Sequence, residues 1–259
     1  MPFQNFAAFS AGIAIALFFA MLLFLELGRR VGVRHAAKHG TAGPTGVGVV
    51  DGAVFALFSL LIGFTFSGAT TRFDARRALI AQEVIAIRTA WDRIELLHAE
   101  PQPAIRAGFR TYMDTLIATF KDEANAREPF KNPASMAATQ QDIWSRSVAA
   151  TVSADGEKAR MLLLPALNEM FGAVERERLA QRMHPPIVIY AMLGLAALAA
   201  CLFSGYAMSA TPTRNWMYIL GVATTVSVTA YVILELEAPR LGAIQVDALD
   251  LAQLRATMK

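Results

Sequence analysis

The chain has 259 residues, of which 55% are hydrophobic and 17% charged, where a soluble domain carries about a quarter charged. Mean hydropathy is +0.40, and the apolar residues gather in runs of bilayer-spanning length, which excludes an ordinary soluble enzyme. The net charge is only +3 and its basic side chains are scattered among acids, so nucleic acid is not an expected partner; the single Cys201 excludes an internal disulfide and a cysteine metal cluster.

The first apolar run covers about Ala7 to Leu27. No basic residue precedes it and no small-x-small cleavage site follows, so it reads as a retained helix and not as a signal peptide. Arg29 to Thr45 reads as a loop. His35 and His39 stand at i, i+4, a spacing that holds a metal on a helix, but Gly32 and Gly40 argue against a helix there, and no metal is expected. The second run covers about Gly46 to Ala69, with Gly43 to Gly48 as its glycine-rich approach.

Beyond it, Phe73, Ile80, Val84, Ile87, Trp91 and Ile94 recur at three-four spacing and define one helix face. After the Pro101-Gln-Pro103 break, Ile105, Phe109, Tyr112, Leu116 and Phe120 predict a second amphipathic helix. Lys121 to Pro133 reads as a loop and about Ala137 to Val152 as a weaker helix. A further helix, Glu157 to Met183, carries Leu163, Leu167, Met170, Phe171 and Val174, and Pro185-Pro186 ends it. The third span runs from about Pro186 to Ala210 and the fourth from Trp216 to Leu236. No alternating strand pattern of useful length occurs. The predicted fold is all-α: four transmembrane helices, paired at 1–69 and 186–237, around a helical extramembrane domain at 70–185, with a tail at 238–259.

No sequence signature of catalysis is present: no Gly-x-Ser-x-Gly elbow, Walker loop, dinucleotide glycine fingerprint or His-Glu-x-x-His. The third and fourth spans offer only Cys201, scattered hydroxyls and two tyrosines at depth, and such hydroxyls ordinarily join helices. Neither an enzyme nor a cofactor is expected. Glu26, Asp51, Glu235 and Glu237 stand at span ends, where interface placement is the ordinary explanation. A polar contact from Glu235 or Glu237 to Arg72 or Arg76 is a further expectation. Charge does not set orientation: five Lys and Arg flank the spans on the side of the short loops and seven on the other.

Gly63-Phe64, followed by Thr71-Arg72-Phe73-Asp74-Ala75-Arg76-Arg77, resembles the end of the second transmembrane helix of bestrophins. Leu234-Glu-Leu-Glu237-Ala-Pro239 with Gly242-Ala-Ile244 resembles the closing motif of a family of bacterial membrane proteins described as bestrophin-like, which share this layout of spans. Bestrophins are pentameric ion channels whose second helices surround the pore. The resemblance therefore implies a homo-oligomeric ion channel of the bacterial inner membrane, with itself, the lipid bilayer and inorganic ions as partners. It implies a pore lined by Ala56, Leu60 and Phe64 and an inner mouth at Arg72, Asp74 and Arg76. It also implies a middle domain and termini in the cytoplasm.

Ala56, Leu60 and Phe64 share a helix face by their own spacing, yet apolar residues there equally pack against helices or lipid. Gly63, Gly68, Ser59 and Ser67 form a small-residue face suited to close helix packing. The stripe through Ile87 and Trp91 serves a subunit contact or an intrachain core. The rival to a channel is a non-conducting scaffold or sensor whose helical domain binds a partner. A small transporter is disfavoured by the lack of an inverted repeat or broken helix.

Overall fold

The computed structural model describes residues 6–39, 47–124, 133–152, 156–210, 214–238 and 249–258. Among the described residues every regular element is helical, in the order α1 (Phe6–His39), α2 (Val47–Asp92), α3 (Gln102–Ala124), α4 (Pro133–Ala150), α5 (Glu157–Arg182), α6 (Ile187–Ala207), α7 (Trp216–Glu237) and α8 (Leu249–Thr257). Four of these, α1, α2, α6 and α7, are long and apolar enough to cross a membrane. The all-α, four-span expectation holds.

The chain divides into two compact units. One contains Asn5–Arg72 and His184–Ala238 and holds the apolar helices. Its interior is modest: Met21, Cys201 and Ala223 form one cluster, and Phe58, Leu193 and Ala197 another. Large apolar side chains such as Phe9, Phe19, Leu57, Ile187 and Leu195 point outward instead, the arrangement expected where hydrocarbon replaces water. Asn215 starts α7 by accepting a hydrogen bond from the Tyr218 amide at 3.3 Å.

Within this unit α1 and α6 approach closely at glycines. A Cβ placed on Gly28 would lie 2.0 Å from the Leu202 carbonyl oxygen, and one on Gly205 1.9 Å from that of Leu25. Gly32 is equally hemmed in by Ser209 and Tyr206. These glycines keep α1 helical through Arg29, Gly32 and His35 to His39, where a loop was expected. Tertiary packing overrides the weak helix propensity of glycine there. His35 instead lies beside the Tyr206 ring, with centroids 6.2 Å apart.

The other described unit comprises the end of α2 from Phe73, then α3, α4, α5 and α8. The stripes read from sequence form its core: Ile80 and Ile87 from α2, Ile94 from the 3-10 turn that follows it, Ile105, Phe109 and Tyr112 from α3, and Leu163, Leu167 and Met170 from α5. The helix of α3 continues through Lys121 to Ala124, residues expected in a loop; residues 125–132 lie outside the described ones. The tail also holds an element that was not expected. Leu251 and Leu254 of α8 and Met258 just after it are buried in the same core, Arg255 pairs with Asp114 at 2.8 Å, and Arg110 donates to the Met258 carbonyl at 3.2 Å. Their i, i+3, i+7 spacing is the signal that announces this helix.

Candidate functional site: the two faces of the second span

α2 is an unbroken helix of 46 residues. At 100° per residue, Phe58, Ala69, Arg76, Ile80, Glu83 and Ile87 fall on one side, and all are buried. The opposite side carries Gly52, Ala56, Ser59, Leu60, Gly63, Phe64, Ser67 and Asp74, all exposed. Leu60 and Phe64 are 54% and 68% exposed. No atom outside the local helix backbone lies within 4 Å of a Cβ on Gly52 or Gly63, and on Gly68 only the Arg72 side chain would be met. The small-residue face is thus open in the single chain, whereas Gly28, Gly32 and Gly205 are the glycines set against a neighbouring element within the membrane unit.

The expected mouth residues separate. Residues two apart on a helix point to opposite sides, so Asp74 cannot share a face with Arg72 or Arg76. Asp74 and Arg77 are exposed. Arg72 turns to the buried side, where its Nε donates to Glu237 Oε1 at 2.9 Å and its Nη2 forms an ion pair with the same carboxylate. The neighbouring acid of the Glu-Leu-Glu motif, Glu235, is fully buried and accepts from the equally buried Ser10 hydroxyl. The polar contact anticipated from these glutamates to the end of α2 is formed between Glu237 and Arg72.

Arg76 lies in the helical unit, only 4% exposed, and its Nη2 donates to the Met183 carbonyl at 3.1 Å. It neighbours the buried Glu177, which accepts from Gln181. Burial pushes the Glu177 carboxyl up to about 7, against the opposing pull of Gln181 and the Arg76 guanidinium. Two turns beyond Arg76, Glu83 is fully buried; burial, reinforced by the Glu83 charge, pushes the Tyr112 phenol upward. These buried charges were not anticipated. Their signal is that Arg76 and Glu83 interrupt the apolar stripe of Ile80 and Ile87 at core positions.

Ile87 and Trp91, read as a subunit contact, are covered by their own chain. Ile87 is fully buried, and Trp91 stacks edge-on to Phe109 and lies under the Arg106 guanidinium at 4.6 Å. Both belong to the intrachain core of the helical unit, the other role open to that stripe. Among the described residues no group of three or more His, Cys, Asp or Glu side chains is arranged to hold a metal.

A family model described as Bestrophin-like domain matches residues 13–251. No curated protein and no solved structure matches the chain.

Proposed function

The chain belongs to the bestrophin-like family, and from that premise we propose that it is a homo-oligomeric ion channel of the bacterial inner membrane whose pore is lined by the second span. The observation that carries this reading is the open side of α2. Its apolar window is 6% buried, against 17% to 22% for the other three spans. A helix surrounded by lipid has no need of Gly52, Ser59, Gly63 and Ser67 in a row with Ala56, whereas helices assembled around an axis gain close approach from them.

In this reading Leu60 and Phe64, one turn apart, form a hydrophobic constriction that gates by dewetting, and the small Ala56 leaves the level above it wide. The exposed Asp74 and Arg77 bias which ions enter, while Arg72 and Arg76 hold the exit of the helix in place. The helical unit and both termini face the cytoplasm. Single cysteines at Ser145 and Arg34 in a Cys201→Ala background test that orientation: an impermeant reagent added outside should label the second and not the first.

Conduction is tested by comparing wild type with Leu60→Ala plus Phe64→Ala in planar bilayers. Widening the constriction should raise conductance several-fold. If neither protein conducts although both are oligomeric and inserted, the channel reading fails and a non-conducting scaffold or sensor takes its place.

A further inference from the structure

Where α1, the turn after α6 and the start of α7 meet, the membrane unit holds a cavity of about 390 Å³. Its floor is apolar, formed by Leu22, Leu25 and Ile219, and its rim is basic, formed by Arg29, Arg30 and Arg214. One acid, Glu26, stands among them, 2.9 Å from Arg30 and 3.3 Å from Arg214. The Arg30 and Arg214 guanidinium groups share that one carboxylate, which leaves one positive charge in excess.

Glu26 organises this rim and does not saturate it. Two guanidinium groups present ten N–H donors, while a carboxylate offers about four acceptor sites. The Arg30 and Arg214 side chains are 65% and 43% exposed, so a second anion has access to both. Trp216 completes the wall, with the Arg214 guanidinium 5.7 Å from its ring centroid. An indole beside arginines at the start of a span is the composition of the headgroup level of a bilayer.

We propose that this cavity binds the phosphate of an anionic phospholipid, its headgroup forked by Arg30 and Arg214 and the first carbons of its tails resting on the Leu22, Leu25 and Ile219 floor. A guanidinium matches two phosphate oxygens at once, and a basic pocket between spans is a recurring way to hold anionic headgroups. The apolar floor selects a lipid over a free phosphate ion, which gains nothing from it. The site lies away from the open side of α2 and does not rest on conduction. A protein that never conducts would show the same lipid preference.

The experiment follows thermal unfolding of the full-length, detergent-purified protein titrated with phosphatidylglycerol, with phosphatidylcholine of the same acyl chains, or with inorganic phosphate. Phosphatidylglycerol should stabilise the protein at a concentration about thirtyfold lower than phosphatidylcholine, the scale set by two basic side chains at an anionic surface. Arg30→Gln plus Arg214→Gln should abolish that preference, and Arg88→Gln plus Arg146→Gln, which removes the same charge from exposed positions on α2 and α4, should keep it. Should the first pair fail to fold, Arg30→Lys plus Arg214→Lys retains the charge without the fork and should show a weakened preference. Equal response to both lipids, or a preference that survives Arg30→Gln plus Arg214→Gln, overturns the site. If inorganic phosphate alone reproduces the whole effect, the ligand is a free anion and the lipid assignment falls.

Discussion

Arg72, at the end of the second span, grips Glu237, at the end of the fourth, through Nε and Nη2 on a single carboxylate oxygen. The glutamate side chain is 8% exposed and the arginine 34%. Removing the guanidinium leaves a buried carboxylate short of its charge partner, a loss worth about 3–5 kcal/mol when both groups are fully buried. With Arg72 a third exposed, Arg72→Ala should cost roughly 2–3 kcal/mol. Adding Glu237→Ala should recover part of that loss, and a double-mutant cycle on unfolding in detergent measures the coupling. Strictly additive effects would mean that the pair does not stabilise the unit.

The glycines of the membrane unit should sort into two classes. Gly28→Ala and Gly205→Ala drive a methyl group into backbone oxygen about 2 Å away and should destabilise by roughly 1–3 kcal/mol or more. Gly63→Ala, on the open side of α2, should leave the single chain as stable or raise its stability by about 1 kcal/mol from helix propensity. A bulkier Gly63→Leu should shift the assembly toward monomers, read by size and mass in detergent. An oligomer indifferent to Gly63→Leu would mean that the second spans do not meet through this face.

At the exit of the proposed pore, selectivity should follow the exposed charges and not the buried ones. Asp74→Lys and Arg77→Glu should shift the reversal potential in opposite directions. Both shifts should shrink as salt rises, since exposed charges are screened over about 10 Å at 0.1 M. Arg76→Gln, by contrast, should lower the stability of the helical unit with little change of ion preference. A selectivity change confined to Arg76 would sink this assignment.

Glu177 gives the helical unit a pH dependence with a definite sign. Its carboxyl sits at about 7 in the folded chain, above the ordinary 4.5, so folding favours the protonated form. The stabilisation is complete below pH 4.5, declines as pH rises, and is gone above about 7, a span of roughly 3 kcal/mol. Glu177→Gln should flatten that slope between pH 5 and 8, because an amide does not titrate. The comparison is made on wild type and variant unfolded at a series of pH values. A slope that persists in the variant would assign it to another group.

Much of this architecture was legible because apolar periodicity is a local property. The spans, and the stripes of α2, α3 and α5, are each decided within a few helical turns, and they fold as read. The extension of α1 to His39 was hidden because Gly32 resembles a helix breaker until Tyr206 and Ser209 are placed against it. Arg76 reads by resemblance as a mouth residue and Glu83 goes unremarked, since only partners far along the chain establish that their side of α2 is interior. The mouth residues are a different case. Arg72, Asp74 and Arg76 are spaced two apart, and helical geometry alone separates Asp74 from its neighbours.

The contribution of α8 to the helical core bears on when that core is completed during synthesis. Arg255 meets Asp114 across 141 positions of sequence, and Leu251 and Leu254 enter a cluster that includes residues of α2, α3, α4 and α5. Translation proceeds from the amino end, so both pairs of spans leave the ribosome before the residues that close this cluster. Closing so long a loop costs entropy that the contacts of α8 offset. Until then, apolar surface of α3 stays uncovered, open to chaperones and proteases. A copy interrupted before Leu249 would therefore carry all four apolar helices and still lack part of its helical core, and limited proteolysis should cut it faster than a chain that includes α8.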